Sequence, residues 1–234
     1  MTSKDWFKIN DVSSDTVDIF VDSVSVPLMA RQRYSTYELG ADEDVTMPDD
    51  TYEDVSYSIV FYDLFREDFD NTRIYSFLSN AKKLEISRLP GYYFKVRQMS
   101  VNSVQAAYNG KKIRYEVSFV LAPFKYKTDN EPITLYSADI VINTGTRYSK
   151  PLIEISGSGT INFVVNNVPF TLIIPSDATT IIIDSEQKVV YNKDTKKVLW
   201  NCTSGKFPLL SVGNNNIYFN EGATAKIWKN ERCY

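Results

Sequence analysis

Apolar and polar positions alternate along most of this chain with the period of two that sends successive side chains to opposite faces of a strand. Val55, Tyr57, Ile59 and Phe61 alternate with Ser56, Ser58 and Tyr62, and a second strand over 18–26 is predicted to end at Pro27. Residues 92–101 and 113–121 flank Asn109-Gly110. That dipeptide suits a type I′ turn, which needs two positive φ angles, so the pair is predicted to form a hairpin with a long tip. One segment has helical spacing instead: Ile74, Phe77, Leu78 and Ala81 fall at i, i+3, i+4 and i+7. Asp70 or Asn71 is placed to cap its N-terminus, and Lys82-Lys83 follow at the end where positive charge suits the helix dipole. Pro90-Gly91 then turns the chain into the next strand. Residues 1–130 therefore read as an α+β domain, sandwich-like, with one packed helix and a hairpin.

Beyond a junction at Glu131-Pro132 the pattern changes. Short apolar runs occupy 135–143, 152–157, 160–165, 169–174, 180–184, 188–191, 198–201, 216–219 and 223–228. Turn signals separate them, among them Gly145, Gly157-Ser158-Gly159, Asn166-Asn167, Pro175-Ser176, the stretch 213–216 and Glu221-Gly222. Strands at this spacing without helices predict a β-sandwich or jelly roll over 131–234. The protein is thus expected to be mainly β, in two domains.

Composition narrows the chemistry. Among 234 residues there is no histidine, which excludes Ser-His-Asp and Cys-His nucleophile pairs, His-ligated zinc and a histidine pH switch. Cys202 and Cys233 have neither metal-ligand nor redox spacing, and Gly157-Ser158-Gly159 lacks the third glycine and following helix of a phosphate loop. No cofactor or metal site is expected. The uncharged run between Glu154 and Asp177 is too rich in Gly, Ser, Asn and Pro for a lipid-spanning helix, and Met1 is not followed by a basic-apolar leader, so synthesis in a reducing cytoplasm is expected.

Net charge is only −3, but the charges segregate. Between Glu38 and Asp70 stand 12 acidic residues and one base, Arg66; between Lys82 and Arg114 stand 8 bases and one acid, Glu85. Such blocks are solvated faces, partners folded against each other in one subunit, or halves of a contact between subunits. Aromatic residues make up 14%, with 16 Tyr and 13 Phe, a bias that favours pleated surfaces. Tyr148, Trp200 and Trp228 are candidates to stack on sugar rings.

The order of features resembles the distal tail protein of long-tailed, non-contractile bacteriophages. In the first half the matching pieces are the early strand with Pro27, the strand over 59–64, the helix leading into Lys83-Leu84, Pro90-Gly91-Tyr92-Tyr93-Phe94-Lys95-Val96-Arg97, and the closing strand over 117–126. In the second half they are Asn143-Thr144-Gly145, Tyr148-Ser149-Lys150-Pro151, the run over 153–159, Ile182-Ile183-Asp184-Ser185-Glu186, and Gly205-Lys206-Phe207-Pro208 with Gly213-Asn214-Asn215. Where many relatives carry a Pro-Gly-Arg-Asp-Gly-like stretch, this chain has Leu39-Gly40-Ala41-Asp42-Glu43-Asp44-Val45.

The resemblance implies a structural virion protein at the distal end of a tail. Its N-terminal domain would close a homo-hexameric hub ring and its C-terminal domain would be a galectin-like sandwich. The ring would join the tail tube protein and tape-measure protein to tip or baseplate proteins that recognise the host. A head-to-tail ring uses two different surfaces of each subunit, so the acidic arm (Asp42, Glu43, Asp44, Asp49, Asp50) is expected to meet Lys82, Lys83, Lys95 and Arg97 of the next protomer. Sugar-binding galectins use a His at the saccharide site, which this chain cannot supply, so the second domain is expected to be a scaffold. The rival readings are a carbohydrate-binding adsorption module centred on Tyr148, Trp200 and Trp228, a tail-tube subunit, and a peptidoglycan-cleaving enzyme.

Overall fold

The computed structural model describes residues 5–38, 44–64, 71–107, 112–220 and 222–234. Asp42, Glu43, Asp70 and the Asn109-Gly110 tip lie outside them. The chain divides into two compact units, Met1–Thr128 and Asp129–Cys233.

The first unit contains β1 (Phe7–Ile9), β2 (Val12–Ser13), a 3-10 turn (Ser14–Val17), β3 (Ile19–Ser23), β4 (Gln32–Glu38), β5 (Asp44–Tyr52) and β6 (Val55–Leu64). Then come α1 (Thr72–Leu78), β7 (Lys83–Ile86), β8 (Tyr92–Ala107) and β9 (Lys112–Lys127). Seven of these strands form an antiparallel sheet in the order β2-β1-β7-β8-β9-β6-β3. Alternation along β6 and β9 sends Tyr57, Ile59 and Phe61, with Tyr115, Val117 and Phe119, into one core. Helix α1 closes that core with Ile74, Phe77 and Leu78. Phe7 packs against Phe61 and Phe77 with ring centroids 5.5 and 5.6 Å apart, and Phe61 stacks on Tyr115 at 5.2 Å. Each such side chain stabilises the fold by roughly 1.5–3 kcal/mol on leaving water. The opposite face of the sheet is polar: Ser58 and Asn102 both bond the Ser118 hydroxyl.

The helix is shorter than its apolar spacing predicts. Asn71 occupies the N-cap position without capping, because its side-chain oxygen accepts instead from the buried Tyr115 hydroxyl. At the other end Ser79 is extended and Asn80 has φ +53°, so Ala81 falls outside α1 and Lys83 opens a strand. The lysine pair therefore does not complement a helix dipole. Asn10, in the turn after β1, fixes this segment by accepting from the Lys82 and Lys83 amides.

The second unit is a sandwich of two five-stranded antiparallel sheets. Its strands are β10 (Ile133–Leu135), β11 (Ala138–Asn143), β12 (Leu152–Ser156), β13 (Gly159–Val165), β14 (Val168–Ile174), β15 (Thr180–Asp184), β16 (Val189–Asn192), β17 (Thr203–Gly205), β18 (Gly213–Tyr218) and β19 (Thr224–Trp228). The sheets run β10-β19-β12-β15-β16 and β11-β18-β13-β14-β17 and share one core that includes Ile153, Ile183, Phe163, Phe170 and Ile217. Asn166 and Asn167, at φ +49° and +64°, form the two-residue loop joining β13 to β14. The run expected over 135–143 is two strands in different sheets, divided at Tyr136-Ser137. Of the run expected over 198–201 there remains a bridge from Val198 to Tyr191, followed by a turn. Residues 213–216 are a strand rather than a turn, because buried Asn215 bonds the backbone of Val141, Ser211 and Gly213.

Candidate functional site

Strands β4 and β5 form a ribbon that, among the described residues, pairs with no other strand. The core of the first unit takes no residue from either strand. Tyr34, Tyr37 and Met47 are more than half exposed, and Leu28 and Met29, just upstream, are 82% and 73% exposed. A lone two-stranded ribbon is at best marginally stable in water, so bare aromatics on one mark a surface built to be covered. Asp49 and Asp50 project from β5 into solvent. The Asp49 carboxylate accepts from the Thr51 hydroxyl and amide at 2.6 and 2.8 Å, which holds it below the usual carboxylate value. Asp44 opens the same strand.

The basic candidates surround the start of β7 and β8. Lys82 is exposed. Lys83 contacts Asp11 at 2.5 Å and Glu85 at 2.9 Å and lies over the Tyr93 ring. Burial opposes its charge, but the hydrogen bonds to Asp11 and Glu85 and their negative charge hold its pKa above the usual lysine value. Lys83 and Lys95 are direct cross-strand partners, a pairing that repels unless something intervenes. Here Lys95 sits 4.2 Å above the Tyr126 ring, which stacks on Tyr93 at 5.4 Å, so two aromatic faces separate two cations. Arg97 reaches Asp54 at 4.0 Å, so the acidic and basic blocks touch within one chain.

The sugar-stacking candidates do not share one strand or loop. Trp200 lies in a turn and is 82% exposed, while Trp228 ends β19 and is half-buried. Tyr148 is half-buried with the Arg232 guanidinium 4.4 Å over its ring, and Arg232 also donates to the Tyr148 carbonyl. Both cysteines are free, and no cluster of three His, Cys, Asp or Glu among the described residues could hold a metal ion. The groove between β1, β2 and α1 is lined chiefly by Ile9, Val12, Val17 and Phe77, with Arg73 paired to buried Asp63 at its side.

By sequence the chain matches no protein-family model and none of the curated proteins. By structure it aligns with SPP1 Dit, described as a paradigm of the hub adsorption apparatus in phages that infect Gram-positive bacteria. The alignment covers 95% of this chain and 97% of that one, with a TM-score of 0.64 and 11% identity. This chain has the Dit fold. The resemblance drawn from the order of strands, helix and turns is therefore met at the level of fold, through both units. Since 11% of residues are identical, roles of individual side chains rest on the geometry above.

Set on the Dit fold, the ribbon is the feature that reading by alternation missed. The sequence marks an acidic arm there and no strand, whereas 32–38 and 44–52 are paired strands. The available signal was Tyr34, Thr36 and Tyr37 on one side of the acidic centre and Val45 and Thr46 on the other, β-favouring residues of which Thr36 and Thr46, and Tyr37 and Val45, are cross-strand partners.

Proposed function

We propose that this chain is the structural hub subunit of a phage tail. Six copies close into a ring at the distal end, joining the tail tube and tape-measure proteins to the tip proteins that contact the host. The observation that carries this reading is the Dit fold along 95% of the chain. The exposed ribbon supports it, since a closed ring needs a heterologous contact and β4–β5 is a surface without its own core. The acidic stretch of the sequence, with Asp42, Glu43, Asp44, Asp49 and Asp50, meets Lys82, Lys95 and Arg97 of the next copy, while Lys83 chiefly stabilises its own sheet. Among the described residues no helix is long and apolar enough to cross a membrane.

Native mass spectrometry and negative-stain imaging across a concentration series test the proposal. The expected species is six-fold with an open centre. A monomer persisting at several hundred micromolar in low salt would sink it. A second reading, a carbohydrate-binding adsorption module, draws on the exposure of Trp200; saturable glycan binding lost on Trp200→Ala, with no ring formed, would favour that instead.

A further inference from the structure

The outward face of the sheet β11-β18-β13-β14-β17 carries no charge across its first four strands. Core-facing Val141, Ile217, Phe163 and Leu172 set the alternation. Ala138, Ile140 and Ile142 of β11 therefore point out beside Tyr218, Asn216 and Asn214 of β18. The next two strands continue the face with Val164, Asn162 and Thr160 opposite Pro169, Thr171 and Ile173. Tyr218 and Val164 are partners across β18 and β13, so they stand at the middle of one continuous strip. Ile140, Ile142 and Ile173 are 54%, 50% and 51% exposed.

Three outward positions on each of four strands make twelve, and none is charged. Charged residues make up 24% of the chain, so twelve uncharged positions together would arise by chance roughly once in 27. The other sheet of the same sandwich is the contrast: Lys226 and Glu154 are cross-strand partners there, and Lys193 pairs with Glu154 at 2.8 Å. Charge has been kept off one face and not off the other.

We infer that this strip is a contact surface for a second copy of the chain. An isologous contact sets every residue against its own surface, so a charged patch opposes like charge while an uncharged one does not. Isoleucine and tyrosine among asparagine and threonine also fit the charge-depleted centre of a protein interface, and two sheet faces pack aligned as in a sandwich. Area sets the size class of the contact. Each outward residue occupies about 32 Å² of sheet, from strand and repeat spacings of about 4.8 and 6.7 Å, so the strip spans about 390 Å² per copy. A pair buries just under about 800 Å², below the range of stable dimers, so the contact forms in concentrated protein or where other contacts already hold copies together.

Sedimentation velocity of the full chain at 0.1 and 1 M NaCl tests the assignment. The parent is expected to show a weak association step that persists at high salt. Ile140→Lys with Asn216→Lys should weaken that step at least tenfold and leave ring formation at low salt intact. Tyr218→Cys, at the middle of the strip, should cross-link chain to chain under mild oxidation well beyond the parent with its native Cys202 and Cys233, and Ile140→Lys should suppress the cross-link. Unchanged association in the lysine variants, or no cross-link above the parent, overturns the proposal and leaves the strip to a different uncharged protein. The hub reading stands or falls separately, on the salt-sensitive ring.

Discussion

Reversing charge at Lys82 and Arg97 tests the ring contact most directly. Lys82 is exposed, and Arg97 approaches Asp54 only at 4.0 Å with both groups well exposed, so the substitutions disturb little within the chain. Lys83 is a poor choice, because a glutamate there would face Asp11 and Glu85 and unsettle the sheet. An exposed pair contributes about 0.2–1 kcal/mol, and reversal replaces attraction with similar repulsion, so two charges weaken one interface by about 2 kcal/mol. A closed ring of six has six such interfaces, a loss of about 12 kcal/mol. Spread over five association steps this is about 2.4 kcal/mol per step, a roughly 60-fold rise in the concentration at half-assembly. Native mass spectrometry or sedimentation at 50 mM salt would read that shift. At 1 M salt, where the screening length is about 3 Å, the gap between parent and variant should close. Adding Asp49→Lys and Asp50→Lys should recover most of the loss. A half-assembly concentration within threefold of the parent at low salt, with unfolding temperatures unchanged, would refute the assignment.

Other consequences follow from the same geometry. Replacing 34–48 with a short glycine linker should leave the unfolding temperature within a few degrees, because neither ribbon strand contributes to the core, while abolishing the ring seen by negative stain. Asp5 accepts from Arg88 at 2.9 Å, Ser87 at 3.0 Å and the Val24 amide; burial opposes its ionisation, but these bonds prevail and hold its pKa below normal. Asp5→Asn should cost about 2 kcal/mol at neutral pH. Because the folded pKa lies below the unfolded value of about 3.9, that stabilisation is complete above pH about 5 and is lost as pH falls through the folded pKa, so parent and variant melting curves should converge in acid. Gly205 has φ +99°, and a Cβ there would lie 2.5 Å from the Pro169 carbonyl oxygen. Gly205→Ala should therefore destabilise the second unit by about 1–3 kcal/mol, read by denaturant unfolding.

The parts of the fold legible in the sequence are those where one chain supplies both sides of a packed face. Ile181 and Ile183 enter the sandwich core, and the strand over 180–184 has the bounds its pattern predicts. The alternation over 55–61 is equally plain, because Tyr57, Ile59 and Phe61 face the core and the serines face solvent. Distant polar contacts overrode local propensity elsewhere. Helix α1 stops early where Asn10 captures the Lys82 and Lys83 amides from more than 70 residues away. Asn214-Asn215-Asn216 has turn composition, yet the buried Asn215 amide satisfies four backbone groups and holds the segment as a strand. The ribbon was hidden for the opposite reason: Tyr34, Tyr37 and Met47 stay exposed, so no pattern of burial reveals it.

Salt separates the two proposed contacts, because one rests on charge and the other lacks it. At low ionic strength the ribbon acids and the bases around β7 and β8 attract across a long screening length, and rings should form first as concentration rises. At 1 M salt that attraction is screened, whereas the strip through Ile140, Tyr218 and Ile173 loses nothing. Pairs should then precede rings. An order of assembly that does not change between the two conditions would mean that the segregated charges, 12 acids in one block and 8 bases in the next, do not direct subunit contacts at all.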